Sequence, residues 1–328
     1  MHTQDIFTQN DFTLRTIVPE QDFPRIAELL SADQEDDVLA EDLLEDEGKV
    51  LERRILRHRV AEIEQHDGNH QIIGYSFAGY YPSSPAGEFY TNLVVDPAYR
   101  GRGLGQLLAD ELSEYLRSQN ANQVWCEVHE GDDSHKAFAE RRGLAVRSHQ
   151  LRATLDLATF DDAPFAHFIE RAETTGVRLC AFADVERSEK NIRQLYDING
   201  VAALDDPASD GAYIAYENWI KIVLNGSWFQ PEGQMIALDG DTFVGLSAIT
   251  YEQESNTGSV LISGVDKAYR GRKIMQALKL MAIRYAQQQG ASRVVTEYDA
   301  RNELMRAIHK KFGFVESPGR FEMSGGFV

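Results

Sequence analysis

The chain has 328 residues, beyond the size at which a single hydrophobic core usually stops growing, so two medium domains are expected. Its 43% hydrophobic and 26% charged residues are the proportions of an ordinary globular protein and exclude a disordered or low-complexity chain. A formal charge of -19 opposes attraction to the phosphates of nucleic acid and to anionic lipid, so neither partner is expected, while a cationic substrate is favoured.

Taken in chain order, the start Met1-His2-Thr3-Gln4-Asp5 lacks the basic and apolar regions of a signal peptide, and no stretch approaches a membrane span. A cytoplasmic protein is the expectation. Residues 12–18 read as an opening strand and 23–30 as an amphipathic helix, with the acidic run 33–47 after them as a solvated helix face. A strand-like run covers 88–95, apolar residues recur at helical spacing over 103–119, a second strand covers 123–128 and a second helix 134–142. Residues 159–172 read as a connecting amphipathic helix. Beyond it come a strand at 177–182, a helix at 191–196, and then strand 259–265, helix 274–289, strand 293–298 and helix 303–312. Cys126 and Cys180 both fall inside apolar, strand-like segments, so buried reduced thiols are expected rather than a disulfide framework. Neither is assigned to catalysis, and no metal site is assigned.

Those later elements repeat the earlier ones. Asp96-Pro97-Ala98-Tyr99-Arg100-Gly101-Arg102 is echoed by Asp266-Lys267-Ala268-Tyr269-Arg270-Gly271-Arg272, at an offset of 170 residues. The same offset, without a gap, pairs Gln106 with Gln276, Leu108 with Leu278, Val124 with Val294, Glu127 with Glu297, Ala137 with Ala307 and Gly143 with Gly313. A strand end, a loop, a helix, a strand and a helix are therefore present twice, and duplication is the economical explanation.

The loop Arg100-Gly101-Arg102-Gly103-Leu104-Gly105 follows a strand and opens a helix. Unsatisfied amides and the helix dipole make such a place an anion site, and backbone without side chains can approach a pyrophosphate closely. Gly103 and Gly105 keep that approach clear, and Arg100 and Arg102 can add charge for phosphate oxygens. The second copy has Lys273 and Met275 at the corresponding positions, which crowds the same seat.

The whole string Val95-Asp96-Pro97-Ala98-Tyr99-Arg100-Gly101-Arg102-Gly103-Leu104-Gly105 resembles motif A of the GNAT N-acetyltransferase superfamily. Phe138-Ala139-Glu140-Arg141-Arg142-Gly143-Leu144 is similar to the family's second-helix segment, as is Ile308-His309-Lys310-Lys311-Phe312-Gly313-Phe314 in the second copy. With the duplication, the resemblance covers nearly the whole chain and points to the tandem GNAT class that includes mycothiol synthase. It implies an α/β fold of two tandem domains, each a mostly antiparallel mixed sheet flanked by helices. The N-terminal domain is expected over 1–158, the connecting helix over 159–174 and the C-terminal domain, with its degenerate loop, over 175–328.

The resemblance also implies acetyl-CoA as cosubstrate and direct attack by the amine of a small-molecule or peptide acceptor in a ternary complex. The backbone of Leu93, Val94 and Val95 should pair with the pantetheine arm, and Arg100, Gly101, Arg102, Gly103, Leu104 and Gly105 should take the pyrophosphate. A backbone amide near Val95 is the implied oxyanion donor. Glu127 stands where some members place a catalytic Glu, so it is the candidate base, the alternative being a strand-end carboxylate that merely faces water. Ala139 replaces the family's usual Tyr acid, a departure made tolerable by a thiol pKa of ~8.5 in the leaving group. In the second copy His309 could titrate near neutrality, although a lone helix His is more often structural. A non-catalytic acyl-CoA-binding or scaffold protein, and catalysis in the C-terminal domain, remain the alternatives. A tandem pair can reproduce the pairing of single-domain relatives, so monomer and homodimer both stay open.

Overall fold

The computed structural model describes residues 11–32, 38–48, 55–65, 68–80, 84–209 and 211–326. It divides into two compact units, Met1–Arg147 with Glu322–Val328, and Ser148–Phe321. Among the described residues no helix is long and apolar enough to cross a membrane.

The first unit runs β1 (Thr13–Thr16), α1 (Pro19–Ser31), α2 (Ala40–Gly48), β2 (Ile55–Glu64), β3 (His70–Tyr80), β4 (Glu88–Val95), α3 (Leu104–Ser118), β5 (Gln123–His129) and α4 (Asp133–Arg141). Its strands are ordered β1-β2-β3-β4-β5, with only β4 and β5 parallel. α1 starts with a proline in its first turn, where no amide is needed, and buries Phe23, Ile26, Leu29 and Leu30 along one stripe. That stripe packs on Val60, Ile72, Tyr75 and Phe77. α3 buries Leu104, Leu108, Leu112 and Leu116, one residue per turn, on the other sheet face against Ala61, Ile73, Ala78 and Phe89. A bulge between β2 and β3 shifts the register at Ala61 and Glu62. Beside it a side chain on Gly74 would come within 2.9 Å of Leu108, so the bare backbone lets α3 lie directly on β3. Of the acidic run, residues 33–37 lie outside the described residues, and α2 fully buries none of its own.

The second unit begins within β6 (Ala145–Asp156) and continues through α5 (His167–Glu173), β7 (Arg178–Ala181), α6 (Glu189–Leu204), α7 (Tyr216–Trp219), β8 (Gln234–Asp239), β9 (Thr242–Glu252) and β10 (Thr257–Val265). α8 (Ile274–Gln289), β11 (Arg293–Asp299), α9 (Glu303–Phe312) and β12 (Val315–Gly326) complete the chain. Strand order is β6-β11-β10-β9-β8-β7, again with one parallel pair, β10 and β11. The fold is therefore a mixed α/β one with mostly antiparallel sheets flanked by helices. α8 buries more of its circumference than α3, with Ile274, Ala277, Leu278, Leu280, Ala282, Ile283 and Ala286 all inside the core. α6 crosses β10 at Gly264, where any Cβ would lie 2.5 Å from that of Ala202. The segment expected as one helix over 159–172 is instead a single 3₁₀ turn at Ala163–Phe165 followed by α5. Pro164 sits in that turn, and its fixed φ and missing amide suit a helix start rather than a helix interior.

Candidate functional site

β4 and β5 pair only through Glu88–Gln123, Phe89–Val124 and Tyr90–Trp125. At the fork the Thr91 hydroxyl donates to the Trp125 carbonyl at 3.1 Å. Beyond it Leu93, Val94 and Val95 pair with Ser76, Tyr75 and Gly74 of β3 on one side; Leu93 and Val95 line an open cleft, whereas Val94 is buried in the core under α1. The cleft has a volume of about 1110 Å³ and reaches from this fork to the starts of α3 and α4.

The loop after β4 is a wound turn. The Asp96 carboxylate accepts from the Ala98 amide at 2.8 Å and pairs with Arg25, which fixes the 3₁₀ turn Pro97–Tyr99. Arg100 Nε then donates to the Val95 carbonyl at 2.9 Å, folding that side chain back on the end of β4. The Arg102 guanidinium stands 5.8 Å from the centre of the Tyr99 ring. Gly101 at φ 74° and Gly103 at φ 88° are both left-handed, a conformation that costs an L side chain about 1–2 kcal/mol. Gly103 caps α3 without a side chain, and its carbonyl accepts from Gln106 and Leu107, which leaves the Leu104 and Gly105 amides without an intrahelical acceptor. A Cβ on Gly105 would meet Val95 at 3.6 Å and Leu93 at 3.8 Å, ordinary contact distances. Packing of the unit thus does not require glycine there, and the bare backbone keeps the mouth of the cleft wide.

Glu127 lies on β5, exposed, and lines the same cleft as the loop. Next to it, burial and then the charge of Glu127 push the Cys126 thiol up to about 11, so it stays protonated at neutral pH. Ala139 is buried on α4 and also lines the cleft. α4 is capped by the Asp132 carboxylate, which accepts from the Ser134 and His135 amides. Its far end is tied to α3 by Arg142, bonded to Asp110 at 2.6 Å and to the Gln106 carbonyl at 3.1 Å. Thr91 lines the cleft without any sequence signal that singles it out, because its place depends on where β5 leaves β4. The nine residues expected to meet a cofactor lie in β4, the loop that follows it and the first turn of α3; Leu93, Val95, Arg100, Gly101, Gly103, Leu104 and Gly105 line the cleft, and Val94 and Arg102 do not.

The second unit repeats the turn with different contents. Asp266 accepts from the Ala268 amide at 2.9 Å, and Arg270 Nε donates to the Val265 carbonyl at 3.2 Å, as Arg100 does in the first copy. Gly271 keeps φ 79°, and the N-cap position of α8 is left-handed at φ 65° although it is Lys273. β10 and β11 part after Val260–Thr296, where β10 is also bulged against β9. The cavity behind is smaller, about 440 Å³, with Lys273 and Met275 in its lining. Glu297 is held by Arg320 at 2.5 Å and Arg152 at 3.5 Å. For His309 the structural reading is the one that fits: burial first, and the charge of Lys279 second, push its imidazole down to about 2. Among the described residues no group of three or more His, Cys, Asp or Glu is placed to hold a metal ion.

Comparison with known proteins shows the family and the fold. The profile of the Acetyltransferase (GNAT) family matches residues 23–144 and again 192–314. The mycothiol acetyltransferase of Nocardia farcinica (strain IFM 10152) is 27% identical over 264 residues, covering 79% of each chain. That of Streptomyces coelicolor (strain ATCC BAA-471 / A3(2) / M145) is 24% identical over 306 residues, 92% of this chain and 91% of its own. Among solved structures, a tandem GNAT protein from the clavulanic acid biosynthesis pathway superposes with a TM-score of 0.75 at 16% identity, covering 96% of this chain and 98% of that one. A GCN5-related N-acetyltransferase from Sphaerobacter thermophilus gives 0.72 at 20% identity over 98% and 97%. At these identities the two structures speak for the fold.

Proposed function

The chain belongs to the Acetyltransferase (GNAT) family, in which it carries two tandem family domains, and from that premise we propose that its first copy transfers an acetyl group from acetyl-CoA to an acceptor amine by direct attack. The observation that carries this reading is the pair of left-handed glycines at the start of α3, opening on a 1110 Å³ cleft between two parting strands. In this proposal the working domain spans 1–158, residues 159–174 connect, and 175–328 form the domain with the degenerate loop.

Bound there, acetyl-CoA would supply an activated acetyl thioester. The turn Arg100 to Gly105 would hold its pyrophosphate through the amides at the start of α3, with Arg102 adding charge and Arg100 keeping the turn wound. The edge of Leu93, Val94 and Val95 that β5 leaves would line up the pantetheine arm as a further strand does, and a backbone amide near Val95 would donate to the developing oxyanion. Glu127, exposed in the same cleft, would take the amine proton directly or through a water. Ala139 has no proton to give, so a thiolate leaving group of pKa ~8.5 departs without an acid. Relatives named mycothiol acetyltransferase support a small-molecule amine as acceptor, and the charge of -19 favours a cationic one.

Release of free thiol from acetyl-CoA in the presence of a panel of cationic and neutral amines tests the reading. Amine-dependent release that is faster for cationic acceptors and slows with added salt is expected. Saturable cofactor binding with no thiol release from any amine would make the chain an acyl-CoA-binding or scaffold protein instead.

A further inference from the structure

Two polar side chains in the second unit have no role in the reaction proposed for the first. Lys279 on α8 and His309 on α9 are each 1% exposed, and both line the 440 Å³ cavity. Lys279 Nζ donates to Ser263 Oγ at 3.0 Å, and Ser263 Oγ lies 3.0 Å from Ser247 Oγ. Among the described residues no carboxylate pairs with that amine; burial alone moves it, down to about 7. Its neighbour His309 packs its ring against Tyr298 and Phe314, at 4.8 and 5.0 Å between centroids, while neither ring nitrogen has a hydrogen-bond partner. The charge of Lys279 acts on this imidazole, and both groups belong to the lining of the same cavity.

A buried donor without an acceptor costs about 1–3 kcal/mol, and a buried amine without a counter-ion gives up its proton. Two such groups converging on one cavity fit a ligand that brings an acceptor and a negative charge. Part of the remaining wall is apolar, made by Ile262, Met275, Met305 and Ile308, beside the polar residues Asp205, Asp206, Arg270 and Lys273. Glu297 in the lining is already held by Arg320 and Arg152, and so does not serve as the counter-ion. We propose that this cavity binds a small organic carboxylate, whose oxygens accept from Lys279 and His309 and whose carbon skeleton lies along Ile262, Met275 and Met305. A phosphate would meet the same donors but would leave those apolar walls uncovered.

Butyrate is a suitable probe, with butyramide as its uncharged isostere, titrated into the full-length chain. One butyrate per chain is expected, with butyramide at least tenfold weaker. Lys279→Met keeps length and removes the donor, and should weaken butyrate at least tenfold. A readout independent of that variant is the imidazole resonances of His309 in the wild-type chain, assigned by their loss in His309→Gln, which butyrate should shift at saturation. Failure of butyrate to bind, equal binding of butyramide, wild-type affinity in Lys279→Met, or unmoved His309 resonances at saturation would each overturn the proposal.

Discussion

Glu127 and Lys279 show how position, more than residue type, sets what a charged side chain can do. Glu127 is exposed at the edge of the larger cleft, where the proposed reaction would use its carboxylate as the base. Glu127→Gln keeps the shape and removes the basicity, so kcat is expected to fall on the order of a hundredfold while acetyl-CoA affinity stays within about twofold. Unchanged kcat in a steady-state assay would return Glu127 to a carboxylate that only faces water. Lys279 is the opposite case. Its folded pKa of about 7 lies below the ordinary value of 10.5, so the folded chain binds fewer protons than the unfolded chain between those values. The unfavourable contribution of Lys279 is therefore fully present below about pH 7 and fades as pH rises toward 10.5. The groups in the same cavity lining are Glu297, Tyr298 and His309 from the last elements, Lys273, Arg270 and Tyr269 from the loop, and Asp205 and Asp206 from just after α6. In urea unfolding, Lys279→Met should be more stable than wild type, and by more at pH 7 than at pH 10. An advantage that grows with pH would contradict this placement of the amine.

At the level of elements, the start of α3 separates packing from binding. A Cβ at Gly105 meets only ordinary contacts, and alanine favours a helix over glycine by up to about 1 kcal/mol. Gly105→Ala should leave the unit as stable as before or more so, while weakening acetyl-CoA roughly tenfold because the methyl group stands where a pyrophosphate must approach. A variant with unchanged affinity, measured by calorimetry, would mean that this amide is not part of the seat. Much of this element was legible in the sequence because its signals are local. Gly103 before the helix and Leu104 to Leu116 at a four-residue spacing are short-range patterns, and the echo 170 residues on repeats them in sequence. The long hairpins β2–β3 and β8–β9 were not legible, since Ile72 to Ala78 and Met235 to Leu238 are buried on both faces and show no alternation. Nor was the burial of His309, which is made by Tyr298 and Phe314 arriving from other elements. The 3₁₀ turn before α5 was signalled by Pro164, which the helical periodicity around it masked.

At the scale of the whole chain, duplication has kept one backbone and changed its contents. Both turns are closed by an aspartate, wound by an arginine that donates to the last carbonyl of the preceding strand, and carried through two left-handed residues. They differ in what projects from them, Gly103 and Gly105 in one copy, Lys273 and Met275 in the other. If charge decided cofactor binding, the copy with the extra lysine would be the better seat; if access of backbone decides, it is the copy with the glycines. The most direct measurement is the calorimetric stoichiometry of acetyl-CoA on the wild-type chain and on the double variant Gly103→Lys with Gly105→Met. The second copy shows that a chain of this fold holds those residues at the same turn, so the variant should fold. One acetyl-CoA per wild-type chain, lost in the double variant, is the predicted result; one acetyl-CoA per chain that persists in the variant would place the working site in the second copy and contradict the account.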